Sequence, residues 1–433
     1  ELKLTSRTLN GLSQVIRLCQ SALEKGLDDE NTRFAKQLLA STRIQRGTEI
    51  AKGLLAGRIL DPTWPQFRKM ALDDLEKGVE FDPQQPQSLF RIAQLNLLLP
   101  RGDEKRGTEA LEQAIRQSGD YPSLQAKALM LRAGREKDPA KRMADLDEAI
   151  RISPDEVDPL LMRGAAHASQ EQFDSALADV DAAIKLEPES AVAHEERAEI
   201  LAEMKRYDEA LAEFDKASEL APKAIGPLVQ KARVFGIQSK FKEALELLDR
   251  ANELRPNNPG VLLLRASMYQ ELEEEEKALA DVDLVLKLQP GHPLAMRFRA
   301  MLLAHTGKFD LAADELDKLQ KAEPENWEIE LQLALFYSAE KQDKKAIETF
   351  SSVLEKQPDS TIALRGRGDT LLGIGRQSEA IADYENVLRL DPEDTGVLNN
   401  LAWVLATSPD EKLRDGARAI ELATKACELT KYE

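Results

Sequence analysis

Apolar residues recur every three or four positions along most of the chain, and each run of them ends at one of a series of evenly spaced prolines. The prolines stand at 154, 188, 222, 256, 290, 324, 358 and 392, so that every step is 34 residues. Between two prolines the spacing marks two apolar stripes, for example 160–167 and 173–184, and this spacing is that of a helix with one buried face. Proline lacks an N–H and disfavours a helical conformation in the residue before it, so the second helix is predicted to end at Pro188. The pattern therefore predicts a repeated pair of helices.

Small residues recur where the two helices of a pair would cross. The proline is counted here as position 32 of its unit. Position 8 is small in eight units: Gly164, Ala198, Ala232, Ala266, Ala300, Ala334, Gly368 and Ala402. Position 20 is alanine in seven units: Ala176, Ala210, Ala244, Ala278, Ala312, Ala346 and Ala380. Position 24 is apolar or aromatic in the same units: Val180, Phe214, Leu248, Val282, Leu316, Phe350 and Tyr384. In length and in these positions the unit resembles the tetratricopeptide repeat.

The resemblance implies an all-α fold, a right-handed superhelical solenoid of about eleven helix–turn–helix repeats. We expect an orphan helix of an incomplete repeat over 1–30, and irregular repeats with insertions over 31–122. One of these insertions is predicted to contain Gly57, Pro62, Trp64 and Pro65, ahead of a second helix over 71–81. A regular array over 123–394 and a final repeat with an inserted corner over 395–433 complete the prediction.

The family's first helices line a concave groove, with positions 2, 5, 9, 12 and 13 pointing into it. Carried onto this chain, those positions give a predicted partner-binding groove. Its members are Leu161, Val229, Arg233, Ile237, Leu263, Leu294, Arg297, Met301, Leu331, Leu335, Ile362, Arg365, Asn399 and Trp403. One unit is acidic instead, with Glu195, Glu199 and Glu203. This composition suits an extended segment or an amphipathic helix with apolar anchors and some acidic groups. We also expect Trp403 to be at least partly exposed as an anchor.

The family also has a mode in which lysine and asparagine at positions 5 and 9 grip a terminal carboxylate. Here those positions hold Arg365 with Asp369, and Glu195 with Glu199. An acid would repel a carboxylate, so this mode is not expected.

Charge and composition narrow the class of partner. The formal net charge is −18, and no basic stripe of the kind that binds phosphates is present, so nucleic acid is not an expected partner. No run of 18 apolar residues occurs, so direct insertion into a membrane is not expected. A protein or peptide partner remains, and the chain could form part of a larger complex.

No motif points to catalysis, to a metal or to a cofactor. The pairs Asp145/Asp147, Asp179/Asp181 and Asp281/Asp283 sit at positions 23 and 25, and residues two apart on a helix face different directions. We expect the second acid to pair with a base four residues on: Asp147 with Arg151, Asp181 with Lys185, Asp283 with Lys287, and likewise Glu385 with Arg389. None of the four histidines stands at metal-ligand spacing from a cysteine or a carboxylate.

Three function classes stay open. The leading one is a protein-interaction scaffold without enzymatic activity. The alternatives are the substrate-recruiting repeat portion of a larger enzyme whose catalytic domain lies outside this chain, and a self-assembling structural component of the cell envelope. The segment from Asn399 to Thr407, with 412–416 and 423–428, is similar to one in long repeat proteins of planctomycete bacteria. That resemblance implies a bacterial source and favours the periplasm or envelope, with the cytoplasm as the alternative.

The two ends are predicted to expose apolar stripes, because repeat arrays need polar caps and none is evident here. The first stripe is Leu12, Val15, Ile16, Cys19 and Leu23, and the last is Ile420, Ala423, Ala426 and Cys427. An exposed stripe indicates a missing neighbour. We therefore expect the chain to be an excerpt of a longer protein, and the alternative is that partner subunits cover both ends.

Overall fold

The computed structural model describes residues 8–57, 63–100 and 102–430, and over these residues the chain is built from helices without any strand. The chain divides into two compact units, 1–222 and 223–433. The helices of the first unit are α1 (Leu9–Glu24), α2 (Asp29–Leu55), α3 (Trp64–Phe81), α4 (Pro86–Leu97), α5 (Glu104–Gln117), α6 (Pro122–Ala133), α7 (Pro139–Ile152), α8 (Val157–Ala168), α9 (Phe173–Leu186), α10 (Ala191–Glu203) and α11 (Tyr207–Leu220). Those of the second are α12 (Gly226–Ile237), α13 (Phe241–Leu254), α14 (Pro259–Glu271), α15 (Glu275–Leu288), α16 (Pro293–His305), α17 (Phe309–Ala322), α18 (Trp327–Ala339), α19 (Asp343–Lys356), α20 (Thr361–Gly373), α21 (Gln377–Leu390), α22 (Thr395–Thr407) and α23 (Gly416–Leu429).

Consecutive helices pack in pairs within each unit, and small residues lie at the contacts as predicted. The alanines at position 20, from Ala176 to Ala380, are all fully buried. The residues at position 24 are buried too, including Tyr384, the only tyrosine among them. One core cluster shows how neighbouring pairs share these contacts, because Leu262 and Ala266 of α14 pack with Ala278 and Val282 of α15. The 34-residue pattern therefore located the core correctly.

Most regular repeats begin and turn in the same way. In six of the eight first helices from α8 to α22, the residue two after the proline caps the helix: Ser360 accepts a hydrogen bond from the N–H of Ala363, and Asp394 accepts one from Val397. The other two, α8 and α12, begin without a side-chain cap. The corner between the two helices has a left-handed residue at position 15, with φ of 54° at Lys341 and 80° at Gly375. Glycine adopts this conformation without strain, whereas in other residues the Cβ atom is sterically unfavourable there. Most corners nevertheless carry a non-glycine residue there.

A series of arginines at position 7 links the helices, and this corrects the ion pairs predicted from the sequence. Arg265 of α14 donates to both carboxylate oxygens of Asp281 in α15, at 2.6 and 2.7 Å, and to Asp249 of α13 at 2.7 Å. Arg163 bonds Asp179 and Asp147 in the same way. Each such arginine thus joins its own second helix to the second helix before it.

The predicted i, i+4 pairs are consequently wrong, because their acids bond to other helices. Asp147 pairs with Arg163, Asp181 with Arg197, and Asp283 with Arg299. The fourth acid, Glu385, pairs with Arg418 of α23. The reason is geometric. Position 7 of a first helix lies close to position 23 of its own second helix and to position 25 of the second helix before it. An arginine that bonds acids on two helices uses more of its N–H donors than an arginine or lysine in a local pair on one helix surface does.

The irregular beginning of the chain differs from two expectations. Trp64 and Pro65 form the first turn of α3 instead of belonging to an insertion, and α3 is therefore longer than the predicted 71–81. Pro62 lies outside the described residues. The first apolar stripe is also not exposed: Leu12, Val15 and Ile16 are less than 5% exposed, because α1 packs its apolar face on α2. At the other end Ile420 is 71% exposed, while Ala426 is buried.

Candidate functional site

The exposed apolar side chains of the first helices in the second unit all lie at groove positions. The first helices of this unit are α12, α14, α16, α18, α20 and α22. Their exposed large hydrophobic residues are Ile237, Leu294, Met301, Leu335, Ile362 and Trp403. These residues occupy positions 2, 9 and 13 only. Trp403, with 55% of its surface exposed, is the largest of them, so its expected exposure is confirmed.

The other predicted groove residues follow the same trend. Arg233, Arg365 and Asn399 are exposed, and Val229, Leu263, Arg297 and Leu331 are half-buried. None of the predicted positions is buried. Leu161 is half-buried on α8, in the first unit, so it belongs to a different part of the chain from the other thirteen residues.

Four predicted residues come together around a hollow between α16 and α18. The hollow has a volume of about 470 Å³, within the range of sites that hold a sizeable ligand group. Its lining consists of Leu294, Arg297, Phe298, Ala300, Met301, Ala304, Gln332, Leu335 and Phe336. Sequence reasoning missed Phe298, Gln332 and Phe336, which stand at positions 6 and 10. Phe298 and Phe336 directly follow the predicted groove residues Arg297 and Leu335 in the sequence, but positions 6 and 10 are not part of the groove register, so the register did not select them.

Arg297 is the one charged residue that lines this hollow. Its Nη2 donates to Glu323 at 3.3 Å, a long hydrogen bond, and its Nε is buried without a hydrogen-bond partner among the described residues. Arg265, by comparison, uses three nitrogens in bonds of 2.6–2.7 Å. The Arg297 guanidinium therefore has hydrogen-bonding capacity that the fold does not use.

A polar network lies at the groove positions of the last two repeats. The hydroxyl of Tyr384 donates to Oδ1 of Asp369 at 2.6 Å, and the side-chain amide of Asn400 donates to the same oxygen at 3.0 Å. Arg365 approaches the other oxygen at 3.9 Å and Asp394 at 3.5 Å. Burial, and then the Asp369 carboxylate, raise the pKa of Tyr384, so the hydroxyl stays a donor. Asp369 is thus held in place from the core side while nearly half of its side chain remains exposed.

Beside the acidic groove positions of α10, at position 6, lies the half-buried carboxyl group of Glu196. Burial, and then the charges of Glu199, Glu195 and Glu203, raise the pKa of Glu196 to about 7. Burial and Glu199 also raise the pKa of Glu195. The sequence indicated the acidic set but not Glu196, because its partial burial depends on how α10 packs.

The residues with conventional catalytic or metal-binding chemistry are engaged in structural contacts. The two acids of each Asp-x-Asp pair bond to arginines on different helices: Asp145, for example, accepts from Arg132 and Asp147 from Arg163. His194 contacts Glu213 at 2.6 Å and the carbonyl of Pro188 at 3.1 Å. Within the described ranges no cluster of histidine, cysteine and carboxylate side chains could hold a metal ion. In the same ranges, the helices are too short or too polar to cross a membrane.

Comparisons with known proteins agree with this architecture. One tetratricopeptide-repeat family model matches residues 161–225, 276–326 and 365–432, and a second matches 303–366. No curated protein matches the chain in sequence. The crystal structure of yeast Tom70 is similar with a TM-score of 0.50 and 19% identity, over 89% of this chain and 88% of that one.

Two further solved structures are similar over shorter stretches. A tetratricopeptide repeat protein from Parabacteroides merdae has a TM-score of 0.42 and 17% identity, over 62% of this chain and 98% of its own. YrrB, described as a TPR protein with an unusual peptide-binding site, has a TM-score of 0.39 and 18% identity, over 43% of this chain and 96% of its own. At these identities the likeness concerns the fold alone. From the repeat pattern, the helix pairs and the family match, the chain belongs to the tetratricopeptide-repeat family and has its all-α fold.

Proposed function

We propose that this protein is an interaction scaffold without catalytic activity of its own, whose second unit binds a segment of a partner protein along its first helices. The observation that carries the proposal is the placement of exposed apolar side chains. On the first helices of this unit they occur at groove positions alone, on five of the six helices. Contiguous exposed apolar surface, such as Leu294, Met301 and Leu335 form around one hollow, typically marks an interaction site.

The character of these side chains suits a partner segment with apolar anchors. Met301 and Leu335 stand at position 9 of successive first helices, and Trp403 stands at position 9 of the last one. Large side chains with unbranched or aromatic surfaces adapt well to a partner and supply much of the binding energy at interfaces. The proposed site comprises the thirteen groove residues of the second unit, and Leu161 is proposed for the first unit separately.

The proposal is tested by affinity capture from the native organism with matched variants. Leu335 and Leu311 are similarly exposed, at 40% and 47%, but Leu311 lies on the second helix α17. We expect Leu335→Asp to lose the partners that the wild-type protein captures, whereas Leu311→Asp retains them. For an isolated partner, Trp403→Ala should weaken the Kd by more than about fivefold, which corresponds to roughly 1 kcal/mol. Equal capture by both aspartate variants would contradict the proposal.

A further inference from the structure

The hollow between α16 and α18 has a chemistry that restricts what can occupy it. Leu294, Met301 and Leu335 supply exposed apolar surface, and Phe298 and Phe336 lie half-buried beside them. A volume of about 470 Å³ is enough for a leucine, methionine or phenylalanine side chain with its backbone. The inference drawn from this hollow rests on the proposed function and specifies the partner's chemistry at this place.

Arg297 lies in the middle of the apolar lining. Leu294, Arg297 and Met301 stand at i, i+3 and i+7, and therefore on one face of α16. With a rise of about 1.5 Å per residue, the guanidinium-bearing residue is about 4.5 Å along the axis from one apolar residue and about 6 Å from the other. A group of the partner that reaches Arg297 must therefore be close to the group that fills the hollow.

The guanidinium is free to take another acceptor without losing a structural role. Among the residues that the structure describes, its side chain makes one hydrogen bond, of 3.3 Å to Glu323, and Glu323 also accepts a 2.9 Å bond from Asn326. Arg163, Arg265 and Arg367 at position 7 are different, because each bonds both oxygens of an acid and also reaches a second helix. Arg297, at position 5, spans no such pair. Its bond to Glu323 is long and 36% of its side chain is exposed, so its outer N–H groups can reach an incoming carboxylate, the acceptor that arginine binds best.

We propose that this hollow recognises a large apolar side chain flanked by a carboxylate, which pairs with Arg297. In an extended partner segment the acid would lie within two residues of the apolar anchor, and in a helical segment it would lie three or four residues away. A lysine or arginine at that place would bring like charge onto Arg297 among apolar side chains, which is unfavourable. The hollow therefore selects for an apolar–acidic pair and against an apolar–basic one.

The test uses a random dodecapeptide library displayed on phage and panned on the immobilised full chain. Binders are counter-selected on the Leu335→Asp variant, which places a charge in the hollow, and Leu311→Asp serves as the control that should retain them. We expect the selected peptides to share a large apolar residue with Asp or Glu within four positions. For a synthetic peptide of this kind, Arg297→Gln should weaken the Kd at least tenfold, and Arg297→Lys should weaken it less.

A second peptide separates recognition from a structural effect of the substitution. Replacing the acid of the peptide by its amide should weaken binding to the wild type by a similar factor, and Arg297→Gln should then have no further effect. Two results would overturn this inference and leave the proposed function intact. The first is that the selected peptides depend on Leu335 but have neutral or basic flanks. The second is that Arg297→Gln weakens the binding of the acid peptide and of its amide by the same factor. Peptides that bind both aspartate variants alike, or a library that yields no binder, would overturn both.

Discussion

Gly368 contacts the ring of Tyr384, and we predict that the effect of Gly368→Ala on stability depends on whether residue 384 is tyrosine or phenylalanine. A Cβ added at Gly368 would lie 2.9 Å from Cε1 of Tyr384 and 3.1 Å from Cδ1, closer than carbon atoms normally approach. The ring is fully buried, and its hydroxyl is bonded to Asp369 at 2.6 Å. Two other repeats pair alanine at position 8 with phenylalanine at position 24, for example Ala334 with Phe350. We therefore expect the hydroxyl bond, rather than the size of the ring, to hold the ring against Gly368.

The magnitudes follow from two opposing effects of Gly368→Ala. Overpacking a buried contact costs about 1–3 kcal/mol, and alanine gains about 1 kcal/mol over glycine inside a helix. In the wild type the substitution should therefore lower the free energy of unfolding by up to about 2 kcal/mol. In a Tyr384→Phe background the ring can shift, so the same substitution should be neutral or stabilising. Tyr384→Phe alone should cost about 1 kcal/mol, because the exposed Asp369 carboxylate regains water.

The assay must resolve local stability, because repeat arrays can unfold in sections. We suggest guanidinium denaturation together with hydrogen exchange of the amides in 361–390. Gly373→Ala is the control, since its Cβ would meet no atom within 4 Å. The wild type, Gly368→Ala, Tyr384→Phe and the double variant form a double-mutant cycle, and we expect a coupling of about 0.5–3 kcal/mol. A coupling within experimental error would refute the idea that the hydroxyl bond positions the ring.

Three further predictions concern the rest of the fold. Ala278→Leu should cost about 1–3 kcal/mol by overpacking a fully buried contact, whereas Ala280→Leu, at an exposed site on the same helix, should leave the denaturation midpoint nearly unchanged. The raised pKa of Glu196 means that the folded state holds its proton more tightly than the unfolded chain, so its contribution to stability falls as pH rises from about its ordinary value of 4.5 through 7. Glu196→Gln should thus stabilise the protein at pH 8 and have little effect at pH 4, and a pH-independent difference in midpoint would argue against the burial of this group. Lys341→Gly, at the left-handed corner position, should be tolerated or stabilising by up to about 1 kcal/mol in thermal denaturation, whereas Gly375→Ala should be destabilising.

The repeat pattern predicted most of the fold, because each position of the repeat has the same structural surroundings in every unit. Alanine at position 20 and the apolar residue at position 24 were predicted at helix contacts and are buried there, as Ala278 and Val282 show. The groove register likewise predicted the exposure of Trp403. These predictions succeed because a helix pair of constant length places equivalent residues in equivalent surroundings.

Predictions that treated one helix by itself were the ones that failed. The acids of the second helices were assigned to bases four residues away, whereas Asp181 bonds Arg197 on the next first helix. The signal was present, because arginine at position 7 recurs with acids sixteen residues away on either side. The stripe around Val15 was expected to face water, and α2 covers it instead. The hollow at Leu335 depends on the spacing between two helices that are not consecutive, so it could not be derived from the pattern along the chain.

The most direct test of the account maps where a partner touches the second unit. A photoreactive benzophenone side chain is introduced at Met301, at Leu335 or at Leu311, and the protein is irradiated with a partner isolated by capture on the wild type. Met301 and Leu335 lie on first helices, and Leu311, with comparable exposure, lies on α17. The account predicts crosslinks from the two groove positions to one short segment of the partner and none from Leu311. Crosslinks from Leu311 alone, or to the same extent from all three positions, would contradict it.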